Sequence, residues 1–207
     1  MQIELRGNAD LRKALRRFAP DLEKSLKLEM KRGLAPVAKA ARGFVPSTSP
    51  LSGWSGRSFS EGTFPIYNAS TIKSKIGYTT STSKPNPKGF SSMARVFNNS
   101  RAGAIYESAG RTNYESAGRT NPQGQPWVGP KGPAGKRYSH SNNPKAGEQF
   151  INALPPLEGS LKGRGRLIFK AWGQDKGRAE GIVNKAITTA EQELLRRSRT
   201  NSLRSAA

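Results

Sequence analysis

Residues 94 to 121 read ARVFNNSRAGAIYESAGRTNYESAGRTN, and this stretch decides how the chain is organised. An alternating run from Met93 through Phe97 leads to Tyr106-Glu-Ser-Ala-Gly-Arg-Thr-Asn113, and the same eight residues then repeat as Tyr114 to Asn121. A perfect tandem copy survives only where the fold accepts added length, which places the second copy in an exposed loop. The first copy is expected to close a strand running from Gly103 to Tyr106.

Working outward, residues 64–106 read as β structure. Ile72, Ser74, Ile76 and Tyr78 alternate with Lys73, Lys75 and Gly77, and Met93, Arg95 and Phe97 alternate with Ala94 and Val96. Pro85, Pro87 and Gly89 mark a turn region between these runs, and Asn98-Asn-Ser100 marks a second. An antiparallel meander is expected. Upstream, Gln2 to Leu5 suits a short strand, and Asn8 or Asp10 offers a helix cap. Leu11, Leu15 and Phe18 share one helical face. Pro20 suits the first turn of a second helix, with Asp21 and Glu23 near its positive end. Its apolar stripe is Leu22, Leu26, Met30, Leu34, Val37 and Ala41, with a bend or break expected at Gly33 and Pro36 and a stop at Gly43. The Pro- and Gly-rich segment Phe44 to Gly62 reads as a loop. Its Trp54 and Phe59 either pack into the core or meet a neighbouring subunit.

Downstream, residues 113–144 form a long polar insertion carrying Arg119, Lys131, Lys136 and Arg137, with no acid between Glu115 and Glu148. A short helix is expected from Gly147 to Leu154, ended by Pro155-Pro156, and a small apolar cluster follows at Arg166 to Trp172. The last element is a helix capped by Asp175. Its apolar face runs Ala179, Ile182, Val183, Ala186, Ile187, Ala190, Leu194 and Leu195, with Arg196 and Arg197 at its negative end. The expected class is therefore α+β: N-terminal helices and a C-terminal helix packed on a small antiparallel meander, with long loop insertions. The expected organisation is a single domain over 1–197 with a flexible basic insertion at about 111–145, and a basic tail over 198–207.

Composition limits function. The net charge is +21, from 35 Lys and Arg against 14 Asp and Glu. Such an excess repels itself and calls for an acidic partner, nucleic acid or counterions. The apolar share is 34 %, which predicts a modest core and stability drawn partly from assembly. With no cysteine, disulfides, thiolate metal sites and cysteine catalysis are excluded. No apolar run reaches the length of a membrane span, and no cofactor is called for.

Catalytic patterns are weak. His140 is the single histidine and sits in a polar loop context, Ser-His-Ser-Asn-Asn. Gly129 to Arg137 superficially matches a phosphate loop. Its glycine spacing is one residue too long, Arg137 stands where a Ser or Thr is needed, and its prolines remove backbone donors. Glu107, duplicated as Glu115, is a lone carboxylate beside small residues. An enzyme is the disfavoured class.

The order of elements resembles the HK97-type tail-component family, the neck and tail-completion proteins of long-tailed bacteriophages. Three stretches carry the resemblance, and together they cover roughly two-thirds of the chain: Val45 to Gly53 (VPSTSPLSG); Ala94 to Gly110, a strand pair ending in Tyr, Glu and Gly; and Gly165 to Leu194, which enters the last helix. Residues 111–164 are longer than that family's usual loop. The resemblance implies a structural virion protein forming a ring, a hexamer in that family, at the head–tail junction. Such a ring links connector to tail tube around the DNA channel, and forms in the host cytoplasm during assembly. Its partners are then itself, the other neck, connector and tail-tube proteins, and the double-stranded DNA in the lumen.

Six copies carry six times +21, or +126. The duplex within a ring ~40 Å thick carries only about 24 phosphates. Most of the excess must therefore face acidic neighbours, loops or ions. Lys73, Lys75 and Arg95 are the candidate DNA-facing residues. Trp54, Trp127, Lys131, Lys136, Arg137, Arg196 and Arg197 are the candidate partner-binding residues. The alternative is a cationic protein that binds nucleic acid without sequence preference.

Overall fold

The computed structural model describes residues 2–6, 9–51, 54–55, 65–85, 87, 91–111, 146–160 and 163–205. Within them the fold is α+β. A three-stranded antiparallel sheet is built from β1 (Gln2–Arg6), β2 (Ile76–Thr79) and β3 (Ser92–Asn98), in the order β1-β3-β2. The central strand is β3, with Ile3 opposite Val96 on one side and Tyr78 opposite Val96 on the other. The sheet is thus completed by the N-terminal strand. Among the described residues no strand after β3 joins it.

Two expected strands are helices. Ile72 and Ile76 are two β-repeats apart, but they are also four residues apart, which serves a helix equally well. Asn68 decides the case. Its side chain accepts from Thr71 N at 2.8 Å and starts α3 (Ala69–Lys75), which buries Ile72 and passes directly into β2. The return strand at Gly103 to Tyr106 is α4 (Arg101–Ser108). Ser100 caps it by accepting from Gly103 N at 3.1 Å, and Ala102 and Tyr106 share its buried face. Asn98 Oδ1 in turn accepts from Ser100 N at 2.9 Å, so the end of β3 and the start of α4 are locked together.

The helical layer centres on α2 (Pro20–Gly43), which runs unbroken through Gly33 and Pro36. Pro36 lies on the exposed side of the helix. Gly33 is a contact point with α7 (Arg178–Ser205). A Cβ there would lie 3.1 Å from the Ala179 carbonyl oxygen, so the absent side chain lets the two helices approach closely. Leu26, Met30, Leu34, Val37 and Ala41 of α2 and Ala179, Val183, Ala186 and Ala190 of α7 are buried in one hydrophobic core. Each large member contributes ~1.5–3 kcal/mol of burial free energy. Residues 198–205, read as a tail, continue the helix, so Arg196 and Arg197 lie well inside α7 rather than in its last turn.

In α1 (Ala9–Phe18), Leu11 and Leu15 point inward as expected, but Phe18 is 69 % exposed. The helix stops there, and the Arg17 guanidinium covers the Phe18 ring at 5.1 Å. The remaining elements are α5 (Ala146–Asn152), the short pair β4 (Glu158–Ser160) and β5 (Gly163–Gly165), and α6 (Ile168–Asp175), which packs on α2. Asp175 caps α7 through Ala179 N, as its position in the sequence suggests.

Candidate functional site

The Tyr106-Glu-Ser-Ala-Gly-Arg111 motif folds into a buried joint between α4 and α6. Glu107, at the end of α4, has no exposed surface. Its Oε2 accepts from Leu167 N (2.5 Å) and Ile168 N (3.1 Å), and its Oε1 accepts from Phe169 N at 2.9 Å. These N–H groups open α6 and have no partner within the helix. Leu167 stands at the cap position and has no side-chain oxygen to offer, so a carboxylate sixty residues away in sequence does the capping. The helix dipole favours negative charge at this end.

Arg166 closes the other side of the joint. Its guanidinium donates to the carbonyls of Tyr106 (3.0 Å), Ala109 (2.8 Å) and Pro155. Gly165 has to be glycine, because a Cβ would collide with Glu107 Oε1. Gly110 turns the chain with φ +83°, and Arg111 then lies over the Phe169 ring at 4.6 Å. Burial pushes the Glu107 carboxyl above its ordinary value, opposed by the three backbone N–H groups and Arg111. Burial also lowers Arg166 from its ordinary range. Both Glu107 oxygens are taken by backbone donors and the group has no solvent face. Its chemistry is that of a clip holding two helices, and no lone pair is directed at a substrate. Duplication of the motif left its first copy in this working position. Glu115 of the second copy lies outside the described residues.

A second buried carboxylate is held differently. Glu23 of α2 meets Arg12 Nη2 at 3.0 Å, Arg16 Nε at 3.2 Å and Lys27 Nζ at 2.9 Å. Arg12 is buried, and its other amino group reaches the Thr80 carbonyl, Thr82 Oγ1 (3.0 Å) and the Met93 carbonyl (3.3 Å). One arginine therefore ties α1 and α2 to the β2–β3 connection. Burial raises the Glu23 carboxyl, and the hydrogen bonds from Lys27, Arg12 and Arg16 more than reverse this, leaving it below its ordinary value. The sequence did carry a signal for this. Glu23 falls on the same helical stripe as Leu26, Met30 and Leu34, where a carboxylate must find partners.

The structure distributes the expected interaction residues as follows. Trp54 is a core residue with no exposed surface. Its ring packs against Tyr67 and Phe150 at 5.2 and 5.3 Å, and its indole N–H donates to the Pro65 carbonyl at 2.9 Å, so it offers nothing to a partner. Lys73 and Lys75 lie on α3, where two-residue spacing turns them to different sides, and they do not form the strand-borne row expected of them. Arg95 is half-buried on β3 opposite Thr79, about 13 Å along the sheet from the level of Lys75. Arg196 pairs with Glu193 at 2.7 Å. Arg197 pairs with Glu193 and, across the helix seam, with Asp21 at 2.8 Å. The guanidiniums hold Asp21 below its ordinary value and Glu193 at about 2. Trp127, Lys131, Lys136, Arg137 and His140, with the rest of the insertion from 112, lie outside the described residues, as does Phe59.

One surface was not anticipated. An open groove of about 620 Å³ runs between α2 and β2, lined by Lys24, Lys27, Leu28 and Lys31 on one side and Tyr78 to Thr80 on the other. Leu28 is 51 % exposed within it. Among the described residues no cluster of three or more His, Asp or Glu is placed to hold a metal ion, and no helix is long and apolar enough to cross a membrane. No family model, curated protein or solved structure matches the chain, so fold and function rest on these residues and their geometry.

Proposed function

We propose that this chain is a structural subunit of a long-tailed phage particle, forming a ring at the head–tail junction that joins the connector to the tail tube around the DNA. The observation that supports this reading is how charge is partitioned. Glu23 and Glu107 are buried in the architecture, and Asp21, Glu29, Glu158 and Glu193 are paired with neighbouring Lys or Arg. Lys24, Lys31, Lys39, Lys75, Arg101 and Lys185 are exposed, with no ion pair among the described residues. These six carboxylates hold the subunit together, Glu180 and Glu191 on α7 are without an ion pair among the described residues, and the surplus cations are left for neighbours. The N-terminal helices and the long last helix keep the order that resembles the tail-component family, although the second strand of its Ala94–Gly110 pair is the helix α4 here.

In this reading the protein is not an enzyme. Its net charge of +21 is offset by acidic neighbouring proteins, with a minority of cations facing DNA. Electron microscopy of the purified protein, and of particles from a host expressing it, tests the proposal. Annular assemblies, and density for the chain at the junction, are expected. A dispersed monomer that binds duplex DNA with a steep salt slope, and is missing from particles, would support the cationic nucleic-acid-binding alternative instead.

A further inference from the structure

We propose that the groove between α2 and β2 is the docking site for an extended acidic segment of a neighbouring protein, which joins the sheet as a fourth strand beside β2. This deepens the ring reading by naming the surface on which an acidic neighbour sits, and it rests on that reading only for the identity of the neighbour.

Three observations converge. The first is that β2 is an edge strand, and its phase is fixed. The Lys75 carbonyl accepts from Asn99 N at 3.0 Å, toward β3, and the Ile76 carbonyl is turned outward to Arg42 at 2.7 Å. Antiparallel alternation then turns Gly77 and Thr79 toward β3 and the Tyr78 N–H and C=O toward the groove. A peptide backbone is the natural complement to that donor–acceptor pair.

The second is the facing wall. Lys24, Leu28 and Lys31 are spaced i, i+4, i+7 and form one row along α2, about 10.5 Å long. An added strand presents alternate side chains to that wall, about 6.8 Å apart. A segment patterned acid-x-apolar-x-acid therefore sets two carboxylates against Lys24 and Lys31 and an apolar residue against Leu28. Lysine stems absorb the remaining few ångströms. Lys27 already holds Glu23, whereas Lys24 and Lys31 have no carboxylate within 4.0 Å among the described residues.

The third is the chain's own sequence, which contains no pair of Asp or Glu spaced i, i+4. Its i, i+2 pairs, Asp21/Glu23 and Glu191/Glu193, are in helices. The occupant must come from another protein. Nucleic acid is the weaker fit, because a phosphate backbone has no donor–acceptor pair for Tyr78 and would leave Leu28 uncovered.

The test is fluorescence anisotropy on the full chain with a labelled peptide Ser-Glu-Thr-Val-Thr-Glu-Ser. Saturable binding is expected, weakened about tenfold by the double variant Lys24→Glu/Lys31→Glu. Both residues are exposed, so the fold should be kept. The control reversal Lys185→Glu on α7 is expected to change affinity much less. A peptide with proline in place of the central valine is expected to lose binding, because it cannot complete the backbone pairing. Equal loss from the control reversal, or undiminished binding of the proline peptide, would overturn strand addition. Competition by duplex DNA that Lys24→Glu/Lys31→Glu abolishes, together with indifference to the proline, would assign the groove to nucleic acid. None of these outcomes depends on ring formation, so failure here and failure of the ring reading are separable.

Discussion

Glu23 and Glu107 are the same residue type, both buried, and their charges are met in opposite ways. Glu23 is surrounded by side-chain cations, two of which are partly in water: the Arg16 and Lys27 side chains are 60 % and 42 % exposed. Glu107 is surrounded by peptide N–H groups fixed in place by the start of α6. Flexible cations can be screened by salt and can move aside. Backbone donors cannot, and if the carboxylate is removed they are left buried and unpaired. The helix-to-helix joint should therefore be the more brittle of the two and the less sensitive to salt.

The largest effect is expected at that joint. Glu107→Ala leaves three buried donors without an acceptor and should cost about 3–5 kcal/mol in denaturant unfolding, enough to leave little soluble protein. Gly165→Ala should approach it, since a methyl group must displace the carboxylate. If Glu107→Ala unfolds within 1 kcal/mol of wild type (~1 kcal/mol being an ordinary mutational effect), the clip is not a clip. Next comes Glu23→Gln, expected to cost about 2–3 kcal/mol, because Arg12 stays buried but keeps its carbonyl and hydroxyl acceptors. Raising salt should shrink this loss and leave the Glu107 loss unchanged. Equal salt responses would erase the distinction.

Acidification should separate the two sites by sign. The Glu23 pKa is lowered in the fold, so its contribution is present above the ordinary carboxylate value and is lost as pH falls through the lowered one. The Glu107 pKa is raised, so the fold favours its protonated form, and that contribution declines as pH rises from the ordinary value through the raised one. Thermal melts of wild type against Glu23→Gln and Glu107→Gln, from pH 3 to pH 7 in about half-unit steps, should give difference curves of opposite slope. Gly33→Ala comes next, at about 1 kcal/mol, since the 3.1 Å contact with the Ala179 carbonyl demands only a small helix shift. Asp21→Asn comes last. Its pair with Arg197 is exposed, and no measurable change in melting is expected.

The helices were legible because their stripes are long. Leu26 to Ala41 and Ala179 to Ala190 repeat at helical spacing over several turns, and no other period fits them. Two short helices, α3 and α4, were misread as strands, although β1, β3 and α5 lie where the sequence placed them. Ile72 and Ile76 satisfy both repeats, and only the Asn68 and Ser100 caps break the tie. Gly33 looked like a breaker because intrinsic propensity favours one, whereas its reason is the backbone of α7 pressing against it. Glu107 stood out in the sequence as a repeated letter, but its role depends on Leu167 to Phe169, sixty residues on, and no local pattern carries that. The groove was invisible for the same reason, since α2 and β2 supply its walls from distant stretches of chain.

The Glu107 joint also bears on how this chain can change over time. It fastens the chain at Glu107 to the chain at Leu167 and Phe169, so the span between those anchor points is closed at its base. Inserting eight residues into a span of sixty adds about 0.1 kcal/mol of ring-closure penalty. Lengthening by tandem copying is then almost free for the folded body. The length of this stretch can change without reworking the folded body that carries it.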